Sequence, residues 1–86
     1  MPLSGIQIRA ARAMLRWTAK QTAEKAGVSL PTIQRFEQVD GIPPSRSQTL
    51  LDLRHAFEEA GIVFSGSAEE PAVAWRRPRE SAAASE

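Results

Sequence analysis

The sequence predicts an all-α fold of four short helices closed by a C-terminal β-hairpin. Three observations carry that prediction. Apolar residues recur at helical spacing in four stretches, each opened by a Ser or Thr. Gly27, Pro43-Pro44 and Gly61 stand where helices must stop or cannot continue. Beyond Gly61 the pattern changes to short β-branched and aromatic runs. At 86 residues the chain is one domain, near the size at which a single core is just sufficient.

In chain order, Ser4 is the N-cap of a first helix spanning residues 5–16, with Ile8, Ala11 and Leu15 on one face. Arg9, Arg12 and Arg16 occupy neighbouring rows of it. Trp17 closes this helix and is read as the edge of the core rather than a platform for stacking bases. Thr18-Ala19-Lys20-Gln21 is a capping box that opens a second helix, which runs to about Ala26. Gly27 then takes the turn, because glycine adopts positive φ without steric cost. Ser29 caps a third helix of about residues 29–37, and Pro31 lies in its first turn, where a missing N–H costs nothing. Val28, Ile33 and Phe36 face inward, and Ala23 is small enough to let the two helices cross closely.

This corner, AEKAGVSLPTIQRFE, resembles the helix-turn-helix of Cro and phage-repressor (Xre-like) regulators in spacing and residue type. The carrying residues are Ala23, Gly27 four later, and then Val28, Ile33 and Phe36. The likeness extends over residues 8–64, with one departure at Thr22, where the family usually places a large aliphatic residue. It implies a four-helix lambda-repressor-like domain whose third helix enters the major groove of double-stranded DNA. Position by position, it implies base contacts at Leu30, Pro31 and Arg35, with Ser29 and Thr32 nearer the backbone. It also implies an ion pair between Arg12 and Glu37, the alternative being two independent surface charges. The glutamine that relatives often use on a phosphate is Ala19 here, so Lys20 is expected to take that task. The following loop, basic in many relatives, offers only Arg46.

Residue chemistry ranks these positions. Arg35 is the best base reader, because its fork fits guanine O6 and N7, and Gln34 suits adenine or a phosphate. Leu30 and Pro31 cannot hydrogen-bond through their side chains, and an exposed Leu30 would suit a thymine methyl. With so few donors, DNA shape is expected to share the readout. Residues 1–46 carry seven basic and three acidic side chains, a balance of +4, against −3 for residues 47–86. A positive helix-turn-helix half suits a polyanion, although ordinary solvated surface would carry the same charge.

The fourth helix opens at a second capping box, Ser45-Arg46-Ser47-Gln48, and reaches Ala60, burying Leu50, Leu53, Ala56, Phe57 and Ala60. Ile62-Val63-Phe64 and Ala72-Val73-Ala74-Trp75-Arg76 are the strands of a hairpin. Residues 1–61 thus form the helical unit, 62–77 a β extension and 78–86 a tail expected to be disordered. A two-stranded sheet is marginal alone, so Ile62, Phe64, Val73 and Trp75 are expected to meet their own copies in a homodimer. The competing expectation is that Trp75 folds back onto the helix containing Phe57.

Other function classes find little support. There are no cysteines and one histidine, which leaves no thiolate chemistry and makes a zinc site improbable. His55 and the Glu58-Glu59 and Glu69-Glu70 pairs have no partners for acid/base work. No enzyme activity, metal or cofactor is expected. No apolar run approaches the ~20 residues of a membrane span, and the N-terminus has no signal-peptide pattern. The expectation is a cytoplasmic, nucleoid-associated regulator, bacterial or phage-encoded, acting as repressor or activator, with a partner protein or RNA polymerase among its possible contacts. The alternative is a protein–protein module on the same fold, such as an antitoxin or an adaptor.

Overall fold

Hydroxyl groups open each of the first three helices in the structure, a computed structural model that describes residues 2–45 and 47–77. Ser4 caps α1 (Gly5–Leu15), Thr18 caps α2 (Ala19–Ala26) and Ser29 caps α3 (Leu30–Glu37). The Thr18–Gln21 capping box is complete in both directions. Ser4 forms a second complete box with Gln7, although Gln7 lies on the buried side of α1. Gly27 ends α2 at φ 69°, the left-handed conformation expected of it. α4 (Ser47–Glu59) ends one residue earlier than the pattern predicts. Arg46, within the predicted capping box, lies outside the described residues; the Gln48 side chain donates to Asp52 at 2.8 Å.

The end of α1 was not foreseen. The helix stops at Leu15, and Arg16 takes the C-cap at φ 59°, a left-handed backbone that costs a non-glycine residue about 1–2 kcal/mol. Its N–H satisfies carbonyls of the last turn, as a glycine at this position usually does.

Two antiparallel strands follow α4: β1 (Ile62–Gly66) and β2 (Pro71–Trp75), with Phe64 opposite Val73 and Ile62 opposite Trp75. β1 is two residues longer than predicted, and β2 is shifted one residue towards the N-terminus. Arg76, placed in the strand by its sequence, lies just beyond it, and its N–H donates to the Gly61 carbonyl at 2.8 Å.

The hairpin corrects the sequence reading most. Ile62 and Phe64 are buried in the same core cluster as Ile8, Ile33, Phe36, Leu53 and Phe57, with Val73 and Trp75 half-buried against it. β2 packs on α1 and β1 on α4, so helices of the same chain cover the face expected to need a second copy. Residues 62–77 therefore share one core with the helical unit. The Trp75 indole N–H donates to the Ala60 carbonyl at 3.0 Å, occupying an acceptor that the end of α4 would leave free. This is the competing expectation for Trp75, realised at the end of α4. The predicted tail, 78–86, lies outside the described residues.

Aromatic side chains join the layers. Trp17 stacks on Phe57 at 5.7 Å between centroids, and Phe57 meets Phe64 edge-on at 5.8 Å. Such pairs stabilise by about 0.5–1.5 kcal/mol beyond their burial. Trp17 is therefore a core edge, as its position suggests. Thr22, the polar departure at the corner, is fully buried and donates its hydroxyl to the Thr18 carbonyl at 2.9 Å.

Two substitutions test these backbone assignments. Arg16→Gly should raise thermal stability by about 1 kcal/mol, since it removes left-handed strain from an exposed site. Gly5→Ala should lower it by about 1–3 kcal/mol, because the added methyl would overlap the Val39 and Phe36 carbonyl oxygens. Thermal melts of the two variants check both signs.

Candidate nucleic-acid interface

α3 turns one face entirely inward and leaves the other bare. Ile33 and Phe36 are fully buried, while Pro31, Gln34 and Arg35 are exposed. Its first turn is closed by Ser29, whose Oγ accepts the Thr32 N–H and shares a 2.7 Å hydrogen bond with the Thr32 hydroxyl. These two hydroxyls already have each other as partners. Leu30 departs from its expectation: it is half-buried and packs against the core, so its apolar character has an explanation within the fold.

The C-terminal end of α3 is gripped by α1. Arg12 Nε lies 2.8 Å from Glu37 Oε2 and a terminal nitrogen 2.9 Å from Oε1, a two-point fork on the carboxylate. The same guanidinium donates to the Trp17 carbonyl at 3.2 Å. The side chains are 29% and 12% exposed, so the pair is shielded well beyond an ordinary surface bridge. The hydrogen bond to Glu37, aided by its charge and opposed by burial, raises the Arg12 pKa above its usual value. A raised pKa in the folded state adds stability that is lost only as pH climbs through it. From the Arg12 side, the pair therefore persists throughout the ordinary pH range.

Arg9 adds a second hold. Its guanidinium donates to the Glu37 carbonyl, to the Val39 carbonyl and to Asp40 Oδ1, the last at 2.6 Å. Cationic donors at a helix C-terminus complement both the unpaired carbonyls and the dipole. In return, the Gly5 N–H donates to the Gly41 carbonyl at 2.8 Å, and that of Ile6 to Asp40. Gly5 permits this approach, since a side chain there would meet the carbonyls of Phe36 and Val39.

These contacts change the meaning of the positive half. Arg9 and Arg12 are committed to Asp40 and Glu37. Lys25 sits over the Trp17 ring at 5.2 Å. Arg16 at the end of α1, Lys20 in the first turn of α2 and Arg35 on the outer face of α3 are exposed cations with no ion pair among the described residues, although the Arg35 guanidinium lies over the Phe36 ring at 5.7 Å. Arg46 lies outside those residues, so the fold says nothing of its contacts. Beside Arg35, a polar cleft of about 460 Å³ opens between α3 and α4, bordered by Ser29, Thr32, Ser45, Thr49 and Asp52.

The fold thus brings Pro31, Thr32, Gln34 and Arg35 onto one short helix capped by Ser29, with Lys20 on the helix before it. It draws Leu30 towards the core. The roles of Gln7 and Arg9 were not foreseen from the sequence, although Ser4-Gly5-Ile6-Gln7 has the capping-box spacing. Nothing in the local pattern signals Arg9, whose partners lie some thirty residues away.

No protein-family model matches the chain, and neither does any curated protein. A functional reading therefore rests on these residues and their geometry.

Glu37→Ala should destabilise the fold by about 1.5–3 kcal/mol, between the ranges for exposed and buried pairs. Glu58→Ala, which removes an exposed i,i+4 partner of Arg54, serves as the reference at about 0.5 kcal/mol. Chemical denaturation of both variants gives the comparison, and equal midpoint shifts would remove the structural role of the Arg12 pair.

Proposed function

We propose that the chain is a sequence-specific DNA-binding transcriptional regulator of the Cro and phage-repressor kind, with α3 as its recognition helix. The observation that carries this reading is the two-sided character of α3. Its inner face is locked into the core, its end is clamped by two arginines, and its outer face offers Pro31, Gln34 and Arg35 to solvent. A helix held this firmly, with a bare polar face, has the dimensions of the DNA major groove.

On this reading Arg35 is the principal base reader, through guanine O6 and N7, with Gln34 beside it. Lys20 meets a phosphate at the start of α2, and the Ser29 and Thr32 hydroxyls lie nearest the backbone. Sequence preference is shared with DNA shape, because few side chains can reach base edges. A palindromic site engaged by two copies supplies the contacts that one module lacks. The rival reading, a protein-docking module, loses its main ground, since the hairpin's inner face is covered by α1 and α4.

Selection from a random duplex library, followed by anisotropy titration on the winning site, tests the reading. Arg35→Ala should cost about 1–3 kcal/mol there and relax preference at one base pair. Lys20→Ala should weaken selected and random duplexes alike and reduce the salt slope by about one. If both variants bind the selected site as the parent does, α3 is not the reading element.

A further inference from the structure

The polar cleft of about 460 Å³ between α3 and α4 falls within the roughly 300–1,000 Å³ of small-molecule sites. Its walls carry opposite charges, Arg35 from α3 and Asp52 from α4, and no ion pair joins the two. The Arg35 guanidinium lies over the Phe36 ring at 5.7 Å, a contact that uses none of its N–H donors. One Asp52 oxygen accepts from the Gln48 side chain at 2.8 Å, and the other has no hydrogen bond among the described residues. Half-buried Thr49 lines the same wall, and its hydroxyl has no partner among the described residues either.

We propose that this cleft binds a small zwitterionic amino acid, its carboxylate on Arg35 and its ammonium on Asp52, which competes with DNA for Arg35. The proposal rests on the DNA-binding reading above and names a class of effector for the same surface.

Charge selects the ligand class. A carboxylate matches the two-point fork of a guanidinium, and an ammonium has three donors to divide between the Asp52 carboxylate and the Thr49 hydroxyl. A lone anion would gain Arg35 and be repelled by Asp52, and a lone cation the reverse. A molecule with both charges gains from each wall. DNA contact gives Asp52 no such partner, because a carboxylate beside a base-reading arginine repels the phosphates that accompany the base.

Exposure sets the strength. Arg35 is exposed and Asp52 half-buried, so each charge contact is weak, and a ligand of so few atoms binds with a Kd on the order of 1 mM. Binding still has a consequence for DNA. Arg35 has a single fork, and a carboxylate seated on it excludes guanine O6 and N7. The two charges stand further apart than an ion pair, so the spacing between carboxylate and ammonium decides which amino acid fits.

The test titrates the full-length chain with glycine, β-alanine, γ-aminobutyrate and 5-aminovalerate, each to about 50 mM, following backbone amide shifts by NMR. These probes have no net charge and leave the ionic strength unchanged, so an effect on DNA is not screening. Acetate and ethylammonium at matched ionic strength supply one charge each. One chain length should saturate the cleft, with shifts at Gly27, Thr32 and Thr49. Asp52→Asn and Arg35→Gln, both outside the core and checked by thermal melts, should weaken that probe about 5-fold, and the single-charge probes should be weaker by as much. At saturation the probe should lower the parent's affinity for the selected duplex about 5-fold or more, the size of losing the Arg35 contact. Asp52→Asn should still bind the duplex and need about 5-fold more probe for release. No shift from any probe, equal affinity in Asp52→Asn, or acetate binding as well as the zwitterions would overturn the proposal. So would saturation that leaves duplex affinity unchanged. If the parent binds no duplex at all, the DNA-binding reading falls, and the shifts judge the cleft alone: saturation weakened in both variants supports an amino-acid site, and any other result overturns it.

Discussion

The fork of Arg12 on the Glu37 carboxylate is the contact on which the pose of α3 depends. A helix of eight residues is too short to be stable alone, and its direction must come from what it packs against. Ile33 and Phe36 fix how deeply α3 sits, but apolar contacts are non-directional and leave it free to pivot. A planar guanidinium meeting a carboxylate at two points has a preferred angle. Arg9, closing on the carbonyls of Glu37 and Val39, removes the remaining freedom at the same end. The bare face of α3 is therefore presented in one orientation.

α1 does this at one end because it is anchored at the other. Gln7, buried in its first turn, accepts from the Ser4 N–H and hydroxyl through Oε1. Its Nε2 donates to the carbonyls of Ser65 and Ala72, which face each other across the hairpin. One side chain thus caps a helix and ties it to the sheet. A buried amide with unmet donors would be costly, and this one meets partners at both its oxygen and its nitrogen. The hairpin, marginal as an isolated pair of strands, gains a buried face and a polar clamp from the same helix. It stabilises the orientation of α3 indirectly, through α1.

What could be read from the sequence follows from the range of the interactions. The three hydroxyl caps, the Thr18–Gln21 box and the turn at Gly27 lie within a few residues, so local pattern shows them. The inward positions Ile33 and Phe36 follow from helical period alone. The Arg12–Glu37 pair spans 25 residues and was foreseen only through resemblance to a known corner. The fate of the hairpin was misjudged because alternation shows which face of a strand is apolar and not what covers it. Ile62 and Phe64 look surplus to a helical core in sequence, yet Phe57 and Phe64 meet inside it. Arg16 at positive φ was invisible for a related reason, since tertiary packing overrides the local preference for glycine there.

The scaffold and the proposed function draw on the same charges, and the fold resolves that competition in favour of the scaffold. Had Arg9 and Arg12 stayed free, the positive half would present a broad cationic face with little directional information. Spent on Asp40 and the end of α3, they add almost nothing to long-range attraction but set the angle at which Arg35 is offered. On the proposed reading Lys20 and Arg35, exposed and without an ion pair among the described residues, suit one phosphate and one base contact, too few to hold a duplex tightly at cellular salt. On the proposed reading, a recognition helix fixed in direction and weak in grip has one economical remedy, which is repetition on a symmetric site. Rigid presentation by α1 and sparse charge on α3 are then two consequences of one allocation of arginines.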